Sequence, residues 1–338
     1  MARVAWLREL TRQPALRVAA LGLALSGIGI ELDGKAHAWP DKTVRLVTPA
    51  APGSHTDAMA RILADGLGKK WGHPVVVENQ PGADGILAVR AFLAVQDDHA
   101  LFYTFNSVVT VNPALHDKLP YSPRGDLVPI SHVVEDFIAI VASPALEVSS
   151  LHDLQTMMRA KPGSLNYASF PGSPYLVFQA FQVRVGVDLA FVPYRALTGA
   201  IPDLMENRIQ VGVLSLAMVS ELARQRKLKI LALVSSRRAP SAPDIPTATE
   251  LGFPELILFG GHGLFARTSL PPESRARLLR DAREVLNEPL AAQRIASLGF
   301  VLRATDPDEF GAFLDRETER VAALVRQLGP KARGRNPQ

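Results

Sequence analysis

The stretch TPAAPGSHTDAMARILADGLG, from Thr48 to Gly68, decides the fold of this chain. The β-branched residues before and at its start predict a buried strand over 44–50. A Pro-Gly-Ser turn then separates this strand from a helix predicted over 55–71. One face of that helix carries an apolar side chain every three or four residues, at Ala60, Leu63, Leu67 and Trp71. A strand, a turn and an amphipathic helix in this order form the unit from which α/β sheets are built.

Short apolar runs alternate with helical segments along the rest of the chain. Further strands are predicted over 100–107, 137–144, 165–170, 189–194, 209–216 and 228–236. Further helices are predicted over 150–160, 175–185 and 199–206, and two helical pieces follow Pro272. This alternation predicts an α/β fold with mostly parallel sheets flanked by helices, in which ligands lie beyond the carboxyl ends of the strands.

Length and composition indicate a folded protein with two domains. At 338 residues the chain exceeds the size at which a single core stops growing, which is about 250–300 residues. A hydrophobic fraction of 47% excludes a disordered chain. The net charge of +4 comes with no stripe of Lys and Arg among aromatic residues, so no nucleic-acid partner is predicted.

The sequence lacks the patterns of catalytic and metal sites. It contains no cysteine, which excludes disulfides, thiolate nucleophiles and zinc–thiolate sites. It also contains no H-x-x-x-H pair, no G-x-S-x-G nucleophile motif and no glycine-rich phosphate-binding motif. Ser54, His55 and Asp57 are too close in sequence to form a hydrolase triad, because such a triad takes its groups from separate loops. We therefore predict no catalytic residue, no metal and no cofactor.

Residues 1–38 have the order of a secretory signal peptide. Basic residues up to Arg17 precede the apolar run 18–30, and Ala36-His37-Ala38 has the A-x-A form of a cleavage site. As a helix this run would rise about 20 Å, short of the roughly 30 Å hydrocarbon core of a membrane. An uncleaved membrane anchor is therefore the less favoured alternative. The sequence predicts export, with cleavage after Ala38.

Two loops share one pattern, in which a strand passes through Pro, Gly and Ser into a helix. They are Ala51–Thr56, with Ser54 or Thr56 as the predicted helix cap, and Ser169–Pro174, with Ser173 at the cap position. The first N–H groups of a helix have no partner within it and carry roughly half a positive charge, which favours an anion there. Two such ends facing each other would clamp a small carboxylate. A capped turn that holds only water is the alternative for each loop.

Two more features are candidates for ligand contact. Tyr194 and Arg195 end a predicted strand, and the planar guanidinium of an arginine matches a carboxylate through two parallel hydrogen bonds. A surface ion pair is the alternative role for Arg195. His262 lies among glycines and is either a ligand contact or a packing residue.

Several segments, taken in order, resemble the receptors of tripartite tricarboxylate transporters, the Bug family of periplasmic proteins. WPDKTVRLVTP and PAAPGSHTD resemble the family's first strand and loop, and VVVENQPGADG is similar to its Val-Val-Val-Glu-Asn-Arg-Pro-Gly-Ala-Gly-Gly segment. VNPALHDKLPYSPRGDLVPIS, KPGSLNYAS, VPYRALTGAIPDLM and GLFARTSLPP follow in the family's order. The likeness extends from Trp39 to about Gly329.

The resemblance implies a two-domain clamshell of the type II periplasmic binding-protein class. Domain 1 would combine residues 39–138 and 262–330, and domain 2 would hold residues 139–261. The chain would cross between the domains near 137–141 and return near 258–264, so that these segments act as hinges. Residues 331–338 would form a flexible basic tail.

The resemblance also implies the ligand-binding residues. In the family, the first loop and its facing loop in the other domain hold a ligand carboxylate through backbone N–H groups and ordered waters. The family's site also includes a Tyr-Lys pair and small polar residues that follow a strand. The expected ligand-binding residues of this chain are Ala51, Pro52, Gly53, Ser54, His55, Thr56, Asn106, Ser107, Ser169, Gly172, Ser173, Tyr194, Arg195 and His262.

The chain departs from the family pattern at several positions. Ala50 replaces the usual Phe, Leu214-Ser215 stand where Asp-Asn is common, and Gly261-His262 stand where Trp-Phe is common. The missing Asp removes an acceptor for a ligand ammonium group, which argues against an amino-acid ligand. The missing aromatic side chains predict a larger pocket.

Together these features predict a periplasmic solute-binding receptor, a monomer, that closes around a small organic acid by hinge motion. Its expected partners are the membrane subunits of a tripartite tricarboxylate-type transporter, and a membrane sensor kinase is the alternative partner. An exported α/β hydrolase is a further alternative, which the lack of a recognisable nucleophile and base disfavours.

The signal pattern generates the first testable prediction. Protein recovered from the periplasm of an expressing cell is expected to begin at Trp39, because Ala36-His37-Ala38 fits the small-residue specificity of signal peptidase. N-terminal sequencing measures this directly. Recovery of a chain that retains residues 18–30 would show that the segment is an anchor instead.

Overall fold

The computed structural model describes residues 39–170, 172–194 and 197–333. The described residues from Lys42 onward belong to one compact unit, and residues 39–41 belong to a separate N-terminal unit. The predicted signal segment and the end of the predicted basic tail, residues 1–38 and 334–338, lie outside the described residues.

Strands and helices follow one another along the described chain, but the predicted alternation is broken where strands 128–136 and 138–142, and strands 229–233 and 260–266, are consecutive. The strands are β1 Val44–Thr48, β2 Val75–Asn79, β3 Ala100–Phe105, β4 Val128–Asp136, β5 Ile138–Ala142, β6 Asn166–Ser169, β7 Ala190–Phe191, β8 Val211–Ser215, β9 Lys229–Leu233, β10 Gly260–Ala266 and β11 Val301–Leu302. The helices are α1 His55–Trp71, α2 Ile86–Ala94, α3 Ser107–Thr110, α4 Asn112–Leu115, α5 Pro123–Asp126, α6 Leu151–Ala160, α7 Ser173–Val185, α8 Ala200–Met205, α9 Leu216–Arg224, α10 Pro272–Asn287, α11 Pro289–Ser297 and α12 Pro307–Leu328. Short 3₁₀ turns form at Ala83–Gly85, Leu197–Gly199 and Gly329–Arg333.

The strands form two sheets, each of which mixes parallel and antiparallel neighbours. The six-stranded sheet has the order β11-β4-β10-β3-β1-β2, and the five-stranded sheet has the order β7-β6-β8-β5-β9. The predicted α/β class is confirmed, but the sheets are mixed rather than mostly parallel. The reason lies in β10, which runs antiparallel to β3 and β4, and in β5, which runs antiparallel to β8 and β9.

The helix predicted from the opening stretch forms over the predicted residues. It buries Ala60, Leu63, Leu67 and Trp71, the apolar face that the spacing indicates. Past Pro272 the prediction of two helical pieces is wrong, because three helices form there and β11 separates the last two. The short β11 adds an edge strand to the six-stranded sheet by pairing with β4.

The five-stranded sheet is covered by apolar side chains on both faces. Along β5 the residues alternate between two clusters: Ile138 and Ile140 pack with α6 and α7, and Ala139 and Val141 pack with α8 and α9. A strand buried on both faces reads as a continuous apolar run rather than an alternating one, which is how 137–144 appears in the sequence.

A third apolar cluster joins segments that follow strands of different sheets. Val111, which follows β3 of the six-stranded sheet, packs with Leu176 of α7, which follows β6 of the five-stranded sheet. Val321 and Leu328 of α12 complete the contact. The helix α12 therefore packs against segments that follow strands of both sheets.

The start of the predicted flexible tail is folded. Ala332 is 1% exposed and packs with Val321 and Leu328, in the 3₁₀ turn that follows α12. The part of the predicted tail that the structure describes, residues 331–333, thus lies in this turn, and flexibility of the tail stays a prediction. In the described part of the chain, every helix is too short or too polar to span a membrane.

The cluster that joins the two sheets generates a stability prediction. Leu176→Ala is expected to lower the free energy of unfolding by about 3 kcal/mol, because it leaves a cavity at a fully buried position. Val183→Ala on the same helix is the matched control: Val183 is 41% exposed, so a change within about 0.5 kcal/mol is expected. Urea denaturation measures both. Equal losses in the two variants would contradict the packing described here.

Candidate functional site

The predicted site residues cluster where strands of both sheets end. β1 and β3 are parallel, so their carboxyl ends share one edge of the six-stranded sheet. β6 and β8 are parallel as well, and their carboxyl ends share one edge of the five-stranded sheet. In α/β proteins such edges carry the ligand-binding loops.

The turn between β1 and α1 is held by hydrogen bonds of its own. The Ser54 N–H donates to the Ala51 carbonyl at 3.1 Å, and Gly53 has a φ of +77°, a conformation that favours glycine. Ser54 is the N-cap of α1, because its Oγ accepts from the Asp57 N–H at 3.2 Å. The sequence left Ser54 and Thr56 as alternatives, and the structure selects Ser54.

Asp57 anchors this turn from inside the helix. Its side chain is 3% exposed and accepts hydrogen bonds from the Gly53 N–H at 2.9 Å, from Asn79 Nδ2 at 2.8 Å and from Arg61 Nε at 2.9 Å. Burial acts to raise the pKa of this carboxyl, but the three hydrogen bonds outweigh burial, so its pKa is lowered. The Gly53 N–H is thus bonded within the protein, and Asp57 has a structural role in the turn.

Asn79 supports the same turn and was not among the site residues predicted from the sequence. It ends β2, and its Nδ2 donates to the Ala50 carbonyl at 3.0 Å as well as to Asp57. The quoted segment VVVENQPGADG contains it at the carboxyl end of a strand, which is the signal that could have identified it.

The exposed part of the turn keeps donors for a ligand. Ala51, Pro52, Gly53 and His55 are exposed, and Thr56 is buried. Among the described residues, the N–H groups of His55 and Thr56 donate no hydrogen bond to the protein. These are the first two N–H groups of α1, the end with the positive partial charge.

The second loop leads into α7 without a side-chain cap. Ser169 is buried, and its Oγ donates to the Phe170 carbonyl at 2.8 Å. Gly172 is the N-cap, and Ser173 is the first helical residue rather than the cap, which corrects the prediction. No side chain caps the first N–H groups among the described residues, and Pro174 has no N–H, so the N–H groups of Ser173 and Tyr175 are the donors of this helix end. Pro171 lies outside the described residues.

The two sheet edges approach each other at Gly172. A Cβ added there would lie 3.5 Å from Ser107 Cβ and 3.8 Å from Val111 Cγ1, so the N-terminus of α7 faces the segment that follows β3. A Cβ added at Gly53 would meet no described atom within 4 Å. Ser107 and Gly172 are therefore brought together across the two sheets.

Asn106 lies beside Ser107 and is buried. Its N–H donates to the Gly261 carbonyl at 3.0 Å, and its Nδ2 lies 3.1 Å from His132 Nε2. Burial, followed by the charge of Arg303, lowers the pKa of His132 to about 4, so the ring is neutral at pH 7 and Nε2 can accept. Asn106 Oδ1 has no hydrogen-bond partner among the described atoms.

His262 is enclosed in the core. It is 2% exposed, its Nδ1 lies 3.0 Å from the Tyr103 hydroxyl, and its ring meets Phe105 and Phe300 edge-on. Burial, and secondarily His132, lowers its pKa to about 3. Of the two interpretations that the sequence left open, this placement favours a packing residue, and a ligand contact by His262 stays a prediction.

Tyr194 is bonded within its own half of the molecule. Its hydroxyl donates to the Asp203 carboxylate, which also accepts from Arg208 Nε at 2.7 Å. Burial, with the Asp203 hydrogen bond, raises the pKa of Tyr194 to about 12. The hydroxyl proton of Tyr194 is therefore already used in a hydrogen bond to Asp203. Arg195 lies outside the described residues. Within the described residues, no cluster of three or more His, Asp or Glu could hold a metal ion.

Two mixed α/β sheets whose loop-bearing edges meet are the architecture of two-domain periplasmic binding proteins, and the comparisons with known proteins agree. The solved structure of a periplasmic transporter is similar at 26% identity with a TM-score of 0.79, over 87% of this chain and 100% of that one. The model of a family described as tripartite tricarboxylate transporter family receptor matches residues 59–329, and the chain belongs to this family.

Individual relatives support the same assignment. BugT of Bordetella pertussis (strain Tohama I) is 30% identical over 318 residues, which cover 93% of this chain and 98% of BugT. The structure of MatC from Rhodopseudomonas palustris with bound malate is similar at 27% identity with a TM-score of 0.77, over 85% of this chain and 100% of MatC. The resemblance to the Bug receptors that the sequence predicted is confirmed.

The anchor of the first loop generates a prediction. Asp57→Asn is expected to lower the free energy of unfolding at pH 7 by about 2 kcal/mol, because hydrogen bonds to a charged acceptor become weaker bonds to a neutral one. The folded-state pKa of Asp57 is lowered, so its stabilisation is present above the unfolded pKa and is lost as the pH falls through the folded pKa. The difference between wild type and variant should therefore shrink in acid.

The control for this measurement is Asp65→Asn, which removes an exposed aspartate from the same helix. It should leave the stability unchanged within about 0.5 kcal/mol. Denaturant titrations at neutral and acid pH measure both variants. A loss for Asp57→Asn that does not change with pH would contradict the role of the ionised carboxylate.

Proposed function

We propose that this chain is a periplasmic receptor that binds a small organic acid between two lobes and delivers it to a transporter. The observation that carries the proposal is the approach of Gly172, at the uncapped N-terminus of α7, to Ser107 at the carboxyl edge of the other sheet. One lobe comprises residues 39–138 and 262–330, and the other comprises residues 139–261.

The chemistry of the two helix ends favours an anion. The first N–H groups of α1 and α7 have no partner within their helices, and each end carries roughly half a positive charge. A carboxylate placed between them would accept from both lobes, with His55 and Thr56 on one side and Ser173 on the other. Such a ligand binds the closed arrangement better than the open one, and this difference is what drives closure.

The ligand class rests on the carboxylate chemistry and on the relatives. MatC, at 27% identity, holds malate, a dicarboxylate. Leu214 and Ser215 offer no carboxylate to pair with a ligand ammonium group, so we propose an organic acid without an amino group. His132 is neutral and therefore supplies no positive charge to the site. The proposed polar contacts are the backbone N–H groups, Ser107 and Arg195.

The remaining parts of the proposal concern location and partners. The signal pattern of residues 1–38 supports export to the periplasm with cleavage after Ala38. The family assignment supports membrane transporter subunits as partners. We propose that the receptor acts as a monomer and that it binds its ligand without altering it chemically.

A ligand screen tests the proposal. Mono-, di- and tricarboxylates and aromatic acids are added one at a time to purified protein, and its melting temperature is measured. A ligand at a hundred times its Kd stabilises the folded state by about 2.7 kcal/mol, which corresponds to a shift of roughly 5 °C. At least one carboxylate is expected to give such a shift. A response that is flat across all of these acids would refute the proposal.

A variant of the second loop tests where the acid binds. Ser173→Asp places an anion at the start of α7, which the helix itself tolerates, so the protein should fold and lose binding of the acid that the screen identifies by at least about tenfold. Ser241→Asp, at an exposed serine of the same lobe, is the control and should bind normally. Calorimetry measures both affinities. Unchanged affinity in Ser173→Asp would remove this loop from the site.

A further inference from the structure

A pocket lies beside the two passages that connect the sheets, because Glu135 near the end of β4 and Gly260 at the start of β10 both line it. Its volume of about 270 Å³ is just below the roughly 300–1,000 Å³ of drug-sized sites, so it suits a smaller ligand. None of the described residues that line it belongs to the set predicted to bind a ligand. We call it the hinge pocket, and both lobes line it: His132, Arg303 and Arg316 from one, and Ser236, Arg237 and Phe259 from the other.

Aromatic rings form one wall of the hinge pocket. The His132 ring stacks on Phe310 and Phe313, with centroid distances of 5.4 Å and 4.9 Å and interplanar angles of 13° and 19°. Phe259 meets Phe313 edge-on at 6.4 Å, and Phe259 is 40% exposed. An exposed phenyl ring beside such a stack gives a flat apolar ligand a surface on which to pack.

The charged groups of the hinge pocket are only partly paired. The Arg237 guanidinium donates to the Glu135 carboxylate. Arg303 lies 3.9 Å from Glu135 and 3.7 Å from Glu309, and both distances are too long for hydrogen bonds. His132 adds no charge at pH 7, because burial lowers its pKa to about 4. The side chain of Arg303 is 40% exposed, so its N–H donors are open to an acceptor from outside the protein.

Arg316 gives the hinge pocket an excess of positive charge. It is exposed on α12, and its guanidinium makes no ion pair or hydrogen bond within the described part of the chain. Three guanidinium groups and two carboxylates thus line the pocket, which leaves one positive charge over. A single ligand carboxylate would neutralise that charge, and a guanidinium group binds a carboxylate through parallel N–H···O bonds.

We propose that the hinge pocket is a second ligand site, which binds an aromatic monocarboxylate. The ring of the acid packs on Phe259, and its carboxylate accepts from Arg316 and Arg303. An aliphatic acid or a phosphate would leave the aromatic wall unused, and a neutral aromatic compound would leave the extra positive charge unpaired. Because both lobes line the pocket, an acid bound there also stabilises the arrangement of the lobes seen in this structure.

The test follows ¹⁵N–¹H amide signals while benzoate is added to the Ser173→Asp protein, in which an anion already occupies the proposed carboxylate site at α7. Ser236 and Thr305 line the hinge pocket from different lobes, so their amide signals should shift together and give one dissociation constant. Benzamide has the ring without the charge, and acetate has the charge without the ring. Both should bind at least about tenfold more weakly than benzoate.

Two variants in the Ser173→Asp protein test the contacts one at a time. Arg316→Gln removes the extra positive charge, and Phe259→Ala removes the exposed ring, so each should weaken benzoate binding by at least about tenfold. Both residues are exposed, so both variants should fold. Arg326→Gln, at another exposed arginine of α12 that does not line the pocket, is the control and should bind benzoate as the parent does.

The inference is overturned if benzoate leaves the Ser236 and Thr305 signals in place, if benzamide or acetate binds as tightly as benzoate, or if Arg316→Gln binds benzoate with unchanged affinity. The proposed function survives each of these results as long as some acid shifts the Thr56 and Ser173 signals of the protein without substitutions. If benzoate shifts the hinge-pocket signals but no acid shifts those two, the proposed function fails and the second site stands.

Discussion

The constraint on which the rest of this structure depends is that the first N–H groups of a helix cannot be bonded within it. Both α1 and α7 follow a strand through a short loop, at the edge of a sheet where loops gather. The first N–H groups of α1 and of α7 are bonded differently. At α1 the Ser54 Oγ accepts from the Asp57 N–H, whereas at α7 no side chain caps the helix. The unsatisfied donors of both ends give a carboxylate its proposed place.

The same geometry explains why so few ionisable groups are needed for this site. His132 and His262 are held neutral by burial, and the Tyr194 hydroxyl is bonded to Asp203. In the proposed site, backbone donors supply positive potential alongside Arg195, and these donors need no counter-ion and do not titrate. Apolar packing of α7 against α12 sets the position of the second helix end, so a purely structural cluster also contributes to ligand geometry.

Much of the fold could be predicted from the sequence, because periodicity and turn residues act locally. The helix over 55–71, its buried face and the positions of seven strands follow from the spacing of apolar residues, whereas β4 and β11 were not predicted. The direction in which strands pair does not follow from this spacing, since an apolar run such as 138–142 fits a parallel or an antiparallel neighbour equally well. For the site, the loops were identified from glycine and serine patterns, but the roles of Asn79 and His262 depend on contacts between residues distant in sequence. Ser173 was misplaced by one residue because glycine can cap a helix as well.

The most direct test of the central claim is to follow individual amide signals by ¹⁵N–¹H NMR while the carboxylate that gives the largest thermal shift is added. If the acid lies between the two helix ends, the Thr56 and Ser173 amide signals should both shift and should give the same dissociation constant. The amide of Val183, exposed at the far end of α7, should stay in place. Shifts confined to one lobe, or absent from both helix ends, would contradict the account.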